Sequence, residues 1–396
     1  MKRTIISSLL AIVVLIPLLS ACSTENTDWQ LPAGDDWGGQ VLDMRRPTIA
    51  AGSRSSFAIL EDGSLWAWGH NSFGQLGTGE FTNDPILVPT RVKEGVVTIH
   101  AGSLFTLAIT SDGGLWTWGR NQFGQVGDGT TENRAEPIRI MDDVVEVAGG
   151  VTFAVALQSN GSLWAWGNNE YGQFGNDDIK YSLTPVKVME DVVSVTVGSY
   201  HSAAVKRDGH LWTWGRNHNG QLGNGTTADS SNPVRIMEDV IAISAGCCGN
   251  SAIQADGSLW TWGNNQFGQI GDGTTTERHS PVMIMEDVAF VFGGATVTSA
   301  IRTDGTLWAW GANLYGGLGD GTTTDRHRPI KVLDEAVSVS VFLFHMLAIR
   351  GDGTVWSWGG NDAGQLGNGE RVRTQAGVRP PPSRPEQVLS NALMNR

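Results

Sequence analysis

The stretch LWTWGNNQFGQIGDG, running from Leu259 to Gly273, decides how the rest of the chain is read. Trp260 and Trp262 stand two positions apart, so in a strand they project from one face, where a neighbouring unit can bury them. The Trp-x-Trp-Gly pattern begins at Trp66, Trp116, Trp164, Trp212, Trp260, Trp308 and Trp356; its first interval is 50 residues and the other five are 48. Fourteen of the sixteen tryptophans fall in these pairs, leaving Trp29 and Trp37 outside, so the period outranks any local motif.

One unit predicts four short strands. Residues 240–245 form a β-branched run, 251–254 a short apolar one, and Asp256-Gly257 signals a two-residue hairpin turn into 259–262. After the Gly-rich loop, residues 281–285 supply the fourth strand, with Pro281 placed at its start. Seven units of this size, rich in glycine (52) and poor in charge (17%), predict an all-β chain: a seven-bladed β-propeller of four-stranded antiparallel blades. Three segments compete to close the last blade: GVRP at Gly377, PEQV at Pro385, or an N-terminal GQVL at Gly39.

The LWAWGHNSFGQLGTG stretch from Leu65 to Gly79 and its six relatives, each preceded by DG or NG, resemble the repeat of the regulator of chromosome condensation family, from about residue 45 to 380. The resemblance implies the propeller but no single function, because one fold hosts many. The eponymous nuclear member exchanges guanine nucleotide on a small GTPase through an inserted wedge; the near-uniform spacing here leaves room for one only in the last loop. A plant ultraviolet-B relative depends on tryptophans in turns that carry none in this chain. A secreted bacterial inhibitor of β-lactamases gives the family a precedent for binding outside the cytoplasm.

At the N-terminus, Lys2 and Arg3 precede an apolar run that ends in Leu-Ser-Ala-Cys at 19–22. The run is short and holds Ser7, Ser8 and Pro17, which suits an export signal better than a membrane span. The ending resembles the lipobox of bacterial lipoproteins, which implies cleavage before Cys22 and attachment of acyl chains such as palmitate to it. The expected organisation is a signal at 1–21, an anchor linker at 22–44, the propeller at 45–380, and a Pro-containing tail at 381–396 that holds one closing-strand candidate. The protein is then held on the outer side of the cell membrane by lipid. Net charge is −13, and loss of the signal removes two more cations, so nucleic acid is excluded as a natural partner.

Antiparallel order places the turns between strands one and two on the same face as the Gly-rich loops. On the opposite face, Asp62, Asp112, Asp208, Asp256, Asp304 and Asp352 and links such as Asp142-Asp143 read as turn chemistry rather than as calcium or acid–base sites. The upper turns carry the variation: SRS at 53, SLF at 103, VTF at 151, SYH at 199, CCG at 247, ATV at 295 and LFH at 343. The candidate binding face is therefore Arg54, Phe105, Phe153, Tyr200, His201, Cys247, Cys248, Phe344 and His345, with packing behind the turn as the competing role for Phe105, Phe153, His201 and His345. The loop aromatics Phe73, Phe123, Tyr171, Phe267 and Tyr315 recur at one position and read as packing.

No catalytic set, metal centre or cofactor is expected. The loops have no lysine to reach a phosphate, and the eight histidines lack ligand spacing. A pairing of Cys247 or Cys248 with His201 lacks an orienting group, and the two cysteines are expected as free thiols rather than a strained vicinal disulfide. The reading is a monomeric binding propeller in the cell envelope with a protein or glycan partner; nucleotide exchange and a wall-carbohydrate enzyme are the alternatives.

Overall fold

A computed structural model describes residues 48–342, 344–371 and 383–389. Among them, 28 strands form seven four-stranded sheets, each antiparallel and ordered as in the sequence. The first strands contact one another around the centre and the fourth lie outermost, which is the seven-bladed propeller. The export segment, Cys22, Trp29, Trp37, and the closing candidates at 39 and 377 lie outside the described residues.

Blade five consists of Val240–Ala245, Gly249–Gln254, Leu259–Gly263 and Arg278–Met285. Two local expectations change. The Asp256-Gly257 turn is a three-residue loop: Gln254 N–H donates to the Ser258 carbonyl at 3.0 Å, and of the two residues only Gly257 has positive φ, +84°. Asp256 instead spends its carboxylate on the Ser258 N–H and hydroxyl, at 2.9 and 2.6 Å. Pro281 is not the first residue of its strand but lies three residues in, where the register shifts between Thr261 and Gly263 and no ladder partner is lost.

The two tryptophans of each pair have different roles. The second of each, from Trp68 to Trp358, is buried to 1% exposure or less, while the first is half-buried. In blade five both pack on Ala203, Val205 and Leu211 of blade four, as a shared strand face requires. The buried indole also crosses the blade boundary: Trp262 Nε1–H donates to the Gln221 carbonyl at 2.9 Å. Equivalent bonds run from Trp118 to Gln75, Trp166 to Gln125, Trp214 to Gln173, Trp310 to Gln269 and Trp358 to Gly317. Trp68 donates to Gln365 at 2.8 Å, which joins blade one to blade seven. A polar residue of the second strand often adds a bond to the same carbonyl: Ser56, Thr106, Ser202, Asn250 and Thr298.

Glycine is obligatory two residues after that carbonyl. Gly271 has φ +89°, and a Cβ there would lie 2.6 Å from Trp310 Nε1. Closure uses the PEQV segment: Glu386–Leu389 pairs with Val355, Trp356 and Ser357, so the propeller extends into the tail. The longer first interval has a local cause as well, since Leu65 pairs with Lys93, 28 positions on, where Leu259 pairs with Met285, 26 positions on.

Trp262→Ala should therefore cost about 3–5 kcal/mol in urea unfolding, from lost packing, a cavity and two blades left unbonded. Trp260→Ala should cost clearly less, and equal losses would contradict the division of labour between the two indoles.

Candidate functional site

The upper turns are narrower than the triplets suggest. Gly246 N–H donates to the Gly249 carbonyl at 2.9 Å, and the same bond closes Gly52 to Ser55, Gly102 to Phe105, Gly150 to Phe153, Gly198 to His201 and Gly294 to Val297. Each such turn thus spans two residues, and the third residue of the triplet already belongs to the second strand. Period-two alternation then sends that third side chain inward.

This corrects four of the nine candidates. Phe105, Phe153, His201 and His345 are 0–1% exposed and lie behind the turns, so they form no part of the surface. His201 Nε2 lies 3.2 Å from Asn250 Oδ1, and His345 Nε2 lies 3.0 Å from the Ser56 hydroxyl. Burial lowers both imidazoles to a pKa of about 4 and keeps them neutral. Arg54 and Phe344 are exposed, whereas Tyr200, Cys247 and Cys248 are half-buried.

Neighbouring turns are tied around the opening by backbone bonds: Val151 N–H to Ser199 O, Ser199 N–H to Cys247 O, and Cys247 N–H to Gly294 O, at 3.1–3.3 Å. Each turn also holds the start of its own Gly-rich loop, as Tyr200 O does by accepting from Arg216 N–H at 3.0 Å. The residue after Trp-x-Trp-Gly therefore sits beside the turn. It reads His70, Arg120, Asn168, Arg216, Asn264, Ala312 and Gly360, and two positions further on stand Ser72, Gln122, Glu170, His218, Gln266, Leu314 and Asp362. Both positions belong to the face and were not among the sequence candidates; the variability argument that singled out the turns applies to them equally.

Three sectors result. Over blades three and four, the Arg216 guanidinium lies 5.3 Å from the Tyr171 ring centre and 5.6 Å from that of Tyr200, whose rings meet edge-on at 5.3 Å. Over blades five to seven, Tyr315 and Phe344 meet at 4.7 Å beside Leu314, which is 70% exposed; with Phe267, Thr296 and Ala312 they line a shallow apolar depression. The loop aromatics are thus half-exposed parts of the face rather than packing alone. Between these sectors stand Cys247 and Cys248, both thiols, with Sγ atoms 3.2 Å apart. Across blades one and seven, Arg54 and Asp362 form an exposed ion pair at 3.5 Å, which contributes little stability.

The lower face is explained by backbone geometry. Asp143, Asp191, Asp239, Asp287 and Glu335 have φ between +57° and +61° in the links between blades, a region that Asp and Asn tolerate. Their neighbours pair locally, as Glu190 does with Lys187 at 2.6 Å.

The RCC1-like domain model matches residues 140–392, and the Regulator of chromosome condensation (RCC1) repeat matches 62–109 and 112–157. The human WBSCR16 structure superposes with a TM-score of 0.72 at 23% identity, covering 83% of this chain and 94% of that one. Prp20p from Saccharomyces cerevisiae gives 0.71 at 23% identity, covering 83% and 86%. At these identities the likeness is one of fold. The mitochondrial RCC1 domain-containing protein RUG3 of Arabidopsis thaliana is 33% identical over 75 residues, 17% of this chain and 16% of that protein's length.

The buried histidines set an acid limit on stability. Below pH 6.5 the unfolded chain takes up protons that the folded His345 refuses until about pH 4, so stability is lost as pH falls through that window. His345→Phe installs the residue that blades two and three carry at this position, and Ser56 keeps its bond to Gln365. Thermal unfolding of the variant should lose up to about 3 kcal/mol less than wild type between pH 6.5 and 4. Parallel curves would show that His345 does not titrate in this way.

Proposed function

The chain belongs to the RCC1-like domain family, and we propose that it is a protein-binding propeller, held on the outer side of the cell membrane by lipid on Cys22 and engaging its partner through the upper face. The observation that carries the reading is the composition of that face. A half-buried arginine and two tyrosines on one side, and an apolar depression with Leu314 70% exposed on the other, are the side chains that anchor protein interfaces. The lower face is built of turn aspartates and local ion pairs, which offer no comparable anchor. The structure of Prp20p was described together with its binding to Gsp1p and histones, so protein binding has a precedent on this fold. The partner here is a protein of the envelope, with a glycan as the second class of ligand to test.

Photo-crosslinkers placed in cells at Leu314 and at Arg235, on the outer strand of blade four, test the assignment. A discrete protein adduct is expected from position 314 and none from 235. Leu314→Asp and Arg216→Glu should each weaken capture about tenfold or more, the loss expected on removing an interface anchor. Capture from both positions alike, or insensitivity to both substitutions, would sink the upper-face reading. Independently, Cys22→Ser should abolish labelling by an acyl-chain analogue and release the protein from the membrane fraction; retained labelling would overturn the anchor.

A further inference from the structure

Blade five departs from its neighbours twice in adjacent residues. Gly249 stands where Phe105, Phe153, His201 and His345 fill the space behind the turn, and it leaves a hollow lined by Cys248, Asn250, Asn264 and Gln269. The two turn positions before Gly249 are Cys247 and Cys248, of which Cys248 borders the hollow.

The two sulfurs are not equivalent. The Ser199 hydroxyl donates to Cys247 Sγ at 3.0 Å, and Cys248 Sγ lies 3.2 Å away, placed to donate its own proton to the same sulfur. Arg216, fixed over Tyr171 and Tyr200, puts positive charge near both sulfurs, whereas the negative charge of Glu277 acts against a thiolate at Cys248. We propose that Cys247 is a nucleophilic thiol site on the upper face that reacts with low-molecular-weight disulfides and takes them up as a mixed disulfide.

The Cys247 thiolate attacks one sulfur of the reagent R–S–S–R. A Cys247–S bond forms, the reagent's S–S bond breaks, and R–S⁻ leaves and takes a proton from water. The Cys247 sulfur is oxidised as the leaving sulfur is reduced, so no further oxidant is needed. Attack by Cys248 on the adduct would close a ring between adjacent residues, whose Cα atoms lie about 3.8 Å apart, short of the usual disulfide span of roughly 4.4–6.8 Å. The product therefore stops at the mixed disulfide.

The bond from Cys248 is the largest influence on Cys247 and, with the Ser199 bond and Arg216, lowers its pKa against the opposing effect of burial; the Cys248 thiol is pushed up by the same bond. At pH 6 an ordinary cysteine is almost wholly protonated, so a lowered pKa raises the thiolate share, and the lower basicity takes back only part of that gain.

The test is reaction of the full-length protein with glutathione disulfide at pH 6, followed by peptide mass spectrometry that follows Cys22, Cys247 and Cys248 separately. One glutathionyl group is expected, on Cys247, formed severalfold faster in the folded protein than at the same residue in the urea-unfolded chain. Ser199→Ala and Arg216→Gln, checked for native thermal unfolding, should each slow the folded reaction. An adduct shared equally with Cys248, loss of two hydrogens with no adduct, or equal rates in folded and unfolded chains would overturn the proposal.

Discussion

The indole N–H of the second tryptophan, donated to a carbonyl of the preceding blade, is the interaction on which the propeller depends. No blade can satisfy its own Trp262-type donor or cover that ring alone, because the acceptor and the apolar wall both belong to the neighbour. A buried indole left without a partner would cost about 1–3 kcal/mol in addition to its packing. Each blade therefore stabilises the next, as in other repeat architectures. The bond from Trp68 to Gln365 turns that chain of dependence into a ring with no unbonded end.

The same constraint confines variation. The pairs of tryptophans, the Gln carbonyl and the glycine that lies against the indole are committed to the boundary between blades, and the buried loop asparagines to holding their own loop. Asn265, for example, is fully buried, accepts from Ile270 N–H, and donates to the Thr274 and Thr276 carbonyls. What remains free on the upper face is two turn residues and two loop positions per blade. Different residues there change the surface without disturbing the ring, so arginine, tyrosine, cysteine and leucine share one face of an otherwise monotonous molecule.

Strand order and blade number were legible because a 48-residue tryptophan period leaves few other ways to bury those rings. The face was legible only in part. Arg54, Tyr200, Cys247, Cys248 and Phe344 occupy free turn positions or the exposed end of a turn, but Phe105, Phe153, His201 and His345 do not. Counting a three-residue turn where the hairpin has two moves the third side chain to the wrong side of the strand. Its identity gave little warning, since Phe and His share the position with Ser55, Gly249 and Val297. Arg216 is hard to read from the sequence for a different reason: it follows the strongest motif in the chain and so resembles part of the scaffold.

The closing blade shows how much irregularity the ring tolerates. Val355 pairs with Leu389, 34 positions on, against 26 for Leu259 and Met285, so the seventh outer strand comes later in the chain than its counterparts. Loop-closure entropy grows only logarithmically, and even a doubling in length costs about 0.6 kcal/mol. Blade six also has Gly317 in place of the usual Gln as acceptor for Trp358 of blade seven, yet the bond persists at 3.0 Å because it uses the backbone carbonyl. Closure thus rests on the indole-to-backbone bonds and the inner strands, where the Ala51 N–H donates to the Ser340 hydroxyl at 2.9 Å across the boundary between blades one and seven. The outer strand adds three paired positions to a ring already joined, and this is why the spacing of the repeat could fix the number of blades while leaving the last strand open among three segments.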